Sequence, residues 1–313
     1  MNATAHTRTR TLAGVAVLAA ALVGCGSSGD SAGDDPLKND KADSGTVVVG
    51  SNNFAESILL ADIYGEALKS QGIKVSYKPN IGSRETTYGL IKNGTLTVLP
   101  EYNGALLAYL DSKAAPKTVD ETQTAVKAKL DKKLTLLQPS PAQDRDAVTV
   151  NAETAKKYHL TEKSTIADLK AAAPGLVIGG SPEFQPRHQG LKGLKSVYGV
   201  EFKSFKALDA GGPLTTAALK SGNIQAGDVF TTDPGIAKNK FLALKDPENL
   251  FGFENVVPLV RKADLPKKAA GVLDAVSAKL DTATLLKLNT QVQNDHQDPM
   301  DAAKKWLASA GLD

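Results

Sequence analysis

The sequence predicts an α/β fold in two lobes. Apolar, β-branched runs that stop at Gly or Pro alternate with stretches whose apolar residues recur at helical spacing. That alternation pauses after about residue 100, restarts near 147, and leaves one late strand, Val256–Arg261, that fits the first half. The chain has 313 residues, enough for two separate cores. The second half then lies inserted in the first, with lobe 1 at 46–145 and 251–313 and lobe 2 at 146–250. Two connections run between them, near 143–148 and 246–256. In such folds small ligands sit outside the carboxyl ends of the strands, in the crevice.

The first half opens on Thr46-Val47-Val48-Val49-Gly50, a run of the kind that fills a parallel strand buried on both faces. Phe54, Ile58, Leu59, Ile63, Tyr64, Ala67 and Leu68 then mark one face of a helix. Asn53 and Glu56 stand three apart, as in a capping box. A strand is predicted over 73–78, a helix over 84–92 stopped by Asn93-Gly94, and a third strand over 95–99 ending at Pro100.

In the second half strands are predicted over 147–150, 176–179, 201–205 and 223–229. Helices are predicted over 165–172 (Ser164 as cap), 188–197 and 213–220. After the late strand three helices close the chain. The last is delimited by Asp298 as cap, Pro299 at the first helical position and Gly311 at the end.

The N-terminus is of another character. Arg8 and Arg10 precede an apolar run, Thr11 to Val23, that leads to Leu22-Val23-Gly24-Cys25. A helix of that length rises only ~20 Å, short of the ~30 Å hydrocarbon core. The layout is that of a secretory signal, 1–24, and the sole cysteine, Cys25, falls where the mature chain would start. This resembles a bacterial lipobox, which implies diacylglycerol on Cys25 and an extracytoplasmic, lipid-anchored protein. Residues 25–45 are mostly Gly, Ser, Asp and Lys and read as a tether. With 1–24 removed, Arg8 and Arg10 leave and no acid does, so the formal charge falls from +3 to +1. A nearly neutral body argues against a nucleic-acid partner. A monomer is the default expectation.

Catalytic and metal motifs are missing from the sequence. It has no Gly-x-Ser-x-Gly, His-Glu-x-x-His or Cys-x-x-Cys, and no phosphate or dinucleotide loop. No cofactor is expected, and Asp120, Glu121 and Glu153 read as helix-start acids. The informative residues lie at strand ends: Asn52-Asn53-Phe54, Glu101-Tyr102-Asn103-Gly104, Phe184 through His188, and Phe230-Thr231-Thr232-Asp233. Aromatics are only 5 % of the chain, so one in each of four such loops marks a common rim.

These loops resemble the osmoprotectant-binding proteins of glycine betaine/carnitine/choline ABC importers. Gly50-Ser51-Asn52-Asn53-Phe54-Ala55-Glu56 is similar to their opening. Glu101-Tyr102-Asn103-Gly104 is similar to Glu-Tyr-Thr-Gly, and Phe184-x-x-Arg187-x-x-Gly190-Leu191 to Phe-x-x-Arg-x-Asp-Gly-Leu. Tyr198-Gly199-Val200, Thr231-Thr232-Asp233 and Val257 to Arg261 follow in the same order, so the likeness spans about 46–262. It implies a type 2 periplasmic-binding-protein fold, and partners in an ABC permease and its ATPase subunits. It also implies a quaternary ammonium held on ring faces, which attract a diffuse cation by ~0.5–2 kcal/mol each. Tyr102, Phe230 and Phe253 would supply faces. Arg187 would take a ligand carboxylate, with Asn52 and the following amides, Asn53 and Phe54, assisting. Asn103, Thr231 and Asp233 complete the expected ligand set. Asn52 replaces a family lysine and Ala105 a threonine. Choline, carnitine and ergothioneine therefore stay open beside glycine betaine. An amino-acid ligand, or a sensor or enzyme domain on the same scaffold, is the alternative.

Overall fold

A computed structural model describes residues 45–313. The expectations placed on 1–24, on Cys25 and on all but the last residue of 25–45 lie outside them.

Two five-stranded sheets follow one plan. The first contains β1 (Val47–Gly50), β2 (Val75–Lys78), β3 (Val98–Tyr102), β4 (Leu134–Leu136) and β10 (Val256–Arg261), in the order β2-β1-β3-β10-β4. The second contains β5 (Asp146–Val150), β6 (Val177–Gly180), β7 (Ser204–Ala207), β8 (Ala226–Phe230) and β9 (Leu242–Ala243), in the order β7-β6-β8-β5-β9. Both sheets are mixed, not parallel throughout. Strands β1, β2 and β3 run parallel, as do β6, β7 and β8. The strand that follows each interlobe connection, β5 or β10, enters antiparallel.

Alternation along β1 explains the layering. Val47 and Val49 face a core built with α1 (Ala55–Ser70), α8 (Lys267–Lys279), α9 (Thr282–Asn289) and α10 (Pro299–Ala310). Val48 points the other way, to a core with α2 (Arg84–Asn93), α3 (Asn103–Leu110) and α4 (Val119–Lys129). In the second sheet Val148, Val150 and Ile178 pack with Phe184 and Leu194. Leu219 of α6 (Pro213–Lys220) packs with Ile224 and Val229. Two short helices, α5 (Ala152–Lys157) and α7 (Gly235–Lys238), complete this half.

Several elements depart from the sequence reading. Strand β3 runs through Pro100 to Tyr102 instead of stopping at 99. Pro100 lies opposite Pro258. Thr97 O accepts from Arg261 N, and Asn255 O accepts from Asn103 N, so the bonded pairs fall on odd β3 positions. The two prolines meet at a pair that asks neither for an N–H. Asn53 and Glu56 form no capping box. Phe54 is the cap position of α1, without a side-chain bond, and Glu56 is buried. The predicted helix over 165–172 is a single tight turn, Ile166–Leu169, capped by Thr165 with Asp168 and not by Ser164. The stretch predicted helical over 188–197 is broken at Gln189 and Gly190, whose backbone angles are not helical. Asp298, Pro299 and Gly311 delimit α10 as expected, with Asp301 N donating to Asp298 at 3.1 Å.

Candidate functional site: a ringed, acidic cleft between the two sheets

The C-terminal ends of β1, β3, β6 and β8 deliver the loops that line one cavity of about 60 Å³. By the ~10–15 Å³ that one water needs, this is room for about four to six waters, the scale of a small ligand. Three rings meet there. Phe54 stands between Tyr102, at 6.0 Å and 35°, and Phe230, at 5.1 Å and 46°. Phe54 and Tyr102 come from the first sheet's side and Phe230 from the end of β8, so the rings span the cleft. Tyr102 is fixed from behind, its hydroxyl donating to Glu56 Oε1 at 2.6 Å. Glu56 also accepts from Thr232 Oγ1 at 2.5 Å and from Asn289 Nδ2. The residue expected to cap a helix thus holds a ring in place.

Of the other expected residues, Asn52, Asn53 and Arg187 also line this cavity. Asn52 is anchored by Thr87 Oγ1, which donates to its Oδ1 at 2.8 Å, and by its own N–H on Ser57. Arg187 reaches across the cleft to α2. Its Nε and Nη2 fork onto Glu85 at 3.1 and 2.8 Å. Burial would raise the Glu85 carboxyl, but the Arg187 fork overcomes it and brings the pKa down to about 2.

Four expected residues lie elsewhere. Asp233 lines a larger adjoining groove of about 700 Å³, which shares Asn53, Phe54 and Phe230 with the cavity. Burial lifts Asp233 to about 6, although the Gly235 N–H at 2.6 Å opposes this. Asn103 is buried where β3 meets the second connection, its Oδ1 accepting from Asn255 N at 2.9 Å. Thr231 binds the first connection, accepting from Arg145 N at 2.9 Å and donating to Asp144 at 3.2 Å. Phe253 turns its carbonyl toward Gly104, and its ring is outside the lining of both hollows. These three residues sit at the connections because strand ends and connections share one end of the sheets, a neighbourhood that sequence order does not separate.

The lining missed by sequence reasoning is charged. Asp144, Asp146, Glu183, Asp228, Glu254 and Arg84 face the cavity, beside the expected Arg187. Arg84 is spoken for, its Nη2 2.9 Å and its Nε 3.0 Å from the fully buried Glu101 carboxylate. Burial raises Asp144, Asp228 and Glu254 well above the carboxylate range, with nearby acids adding to it. Such groups hold a proton more tightly folded than unfolded. Their contribution to stability is complete below the ordinary carboxyl range and is lost as pH rises through the folded values. One signal was present in the sequence: Asp228 interrupts an otherwise apolar strand, Ala226 to Phe230.

Comparison with known proteins places this geometry. A family model described as the substrate binding domain of ABC-type glycine betaine transport systems matches residues 45–309. The Escherichia coli (strain K12) glycine betaine-binding protein YehZ is 29% identical over 277 residues, 85% of this chain and 90% of that protein. The Helicobacter pylori (strain G27) ergothioneine transport permease/ergothioneine binding protein EgtU is 26% identical over 271 residues, 85% of this chain and 48% of that longer protein. Among solved structures, a glycine betaine/carnitine/choline ABC transporter protein superposes with a TM-score of 0.67. It shares 22% identity and covers 85% of this chain and 99% of that one.

Proposed function

Because the chain belongs to the family of substrate-binding domains of ABC-type glycine betaine transport systems, we propose that it captures a small quaternary-ammonium compound in the ringed cavity and hands it to an ABC permease with its ATPase subunits. Capture and release involve no bond chemistry. The observation that carries this reading is the meeting of Phe54, Tyr102 and Phe230 around one hollow. A methylated ammonium has no N–H to donate and a diffuse charge, so ring faces suit it better than hydrogen-bond acceptors do. The rings come from both sides of the cleft, so a bound head group stabilises the closed arrangement. The lobe division at 46–145 with 251–313, and 146–250, is part of this proposal, as are Asn52, Asn53 and Arg187 as ligand contacts.

Calorimetry with a panel of trimethylammonium compounds tests the reading. Phe230→Ala is expected to weaken the best of them by about 2 kcal/mol, roughly 30-fold, the upper range for a desolvated ring. Equal affinity in the variant would remove the rings from recognition.

Extracytoplasmic placement through a lipid on Cys25 completes the proposal. Among the described residues no helix is long and apolar enough to cross a membrane. Cys25→Ser is expected to move the protein from the membrane fraction to the soluble fraction on ultracentrifugation. Retention in the membrane would point to another anchor.

A further inference from the structure

One buried carboxyl group stands behind all three rings. Glu56 is 3% exposed and lies on the wall of the larger groove, outside the lining of the ringed cavity. Its Oε1 accepts from the Tyr102 hydroxyl, at the tip of one outer ring. Its Oε2 accepts from Thr232 Oγ1, two residues beyond Phe230, the other outer ring. Phe54, the middle ring, stands two residues before Glu56 in the chain. Glu56 and Tyr102 belong to the first sheet and its helices, whereas Thr232 follows β8 of the second. Asn289 of α9 doubles the tie. Its Nδ2 donates to Glu56 Oε2 and reaches Thr232 O and Oγ1, each at 3.2 Å. A side chain that only holds one core together takes its donors from that core. Glu56 draws its donors from both sides of the cleft, and the two oxygens of a carboxyl group move as one rigid unit.

Resting on the quaternary-ammonium reading above, we infer that Glu56 is a positioning residue that couples closing of the cleft to the setting of the rings. It acts through Tyr102 and Thr232 and touches no ligand. Thr232 carries Phe230 with it from the second sheet. When the Thr232 hydroxyl docks on Oε2, the same carboxyl group fixes the Tyr102 ring through Oε1. The Thr232 loop is stiff enough to transmit this, because the first connection pins it from behind, Thr232 N donating to Asp144 Oδ1 at 2.9 Å. The bond between the sheets belongs to the closed arrangement and is made away from water, where it counts most. Its loss therefore acts on how long a compound stays. Association meets an open cleft and keeps its rate, whereas dissociation needs opening and quickens.

Thr232→Val keeps the shape of the side chain and removes only the hydroxyl. The probe is glycine betaine or choline, whichever the wild-type chain binds more tightly, with affinity read by calorimetry and rates by uptake and release of the radiolabelled compound. Thr232→Val is expected to weaken binding about tenfold, with association within about twofold of wild type and dissociation carrying the loss. Thr232→Ser restores the hydroxyl and is expected to bind within about twofold of wild type. In Glu56→Gln, whose amide oxygen can accept on one side only, Thr232→Val should cost less than it does in the wild-type chain. Thr232→Val at wild-type affinity, a loss carried by slower association, or an equal loss in Thr232→Ser would overturn the inference and leave the quaternary-ammonium reading standing. A full Thr232→Val loss in the Glu56→Gln background would overturn the role given to Glu56. Should Thr232→Val fail to fold, Glu56→Gln alone carries the test, and wild-type dissociation in it would overturn the inference. Binding of neither probe nor any other onium compound by the wild-type chain would overturn both readings.

Discussion

Arg84→Met is expected to cost the fold about 3–5 kcal/mol, the range for removing one partner of a buried ion pair. For a body of this size that is a fall in Tm of roughly 6–20 °C. The reason is Glu101, which is fully buried in β3 and whose two carboxylate oxygens accept from the Arg84 fork. With the guanidinium gone, that carboxylate has left only the N–H of Tyr102 at 3.0 Å. The double variant Arg84→Met with Glu101→Gln separates the pair from simple packing loss. It should recover most of the stability, because a neutral amide costs far less to bury than a lone charge. A single variant as stable as the parent by thermal denaturation would refute the account.

Gly190→Ala carries the second large effect. A Cβ at Gly190 would stand 1.9 Å from the carbonyl oxygen of Phe184 and 2.9 Å from its carbon. Backbone cannot rotate aside as a side chain can, so the loop from 184 to 190 must shift. Overpacking of this kind costs about 1–3 kcal/mol and sometimes more. Phe184 is held in the second core at one end of that loop and Arg187 projects from its middle. The displacement should therefore reach the cleft as well as the core. Both a lower Tm and weaker ligand binding are expected, the second read by calorimetry below the melting range. A variant with normal stability and normal affinity would show that the loop relaxes freely.

The break at Gly190 also shows what the sequence concealed. Apolar spacing over 188–197 resembles a helix, and periodicity cannot register a carbonyl arriving from six residues upstream. The same holds at Asn53 and Glu56. Their spacing suits a capping box, but Tyr102, Thr232 and Asn289 converge on Glu56 from distant parts of the chain and claim it. What was legible was whatever local chemistry dictates. The valine run of β1, the boundaries of α6 and α10, and the aromatic at the end of each of β3 and β8 are cases of that kind. Tyr102, Phe54 and Phe230 were found because strand ends in α/β folds share a rim. Arg84, Asp146 and Glu254 were passed over because a charged residue at a helix start, a strand start or a connection ordinarily faces water. Only the meeting of strand ends from both sheets at one cavity turns those positions inward.

The two connections between the sheets are laced together. Gln143 bridges to Asn255, Asp144 N donates to Glu254 O at 3.0 Å, and Asn255 Nδ2 donates to Ser140 O at 2.8 Å. Bending either strip strains these bonds to its neighbour, so the two connections resist moving independently. Little configurational freedom remains to be surrendered when a solute arrives, so more of the gross attraction survives as affinity.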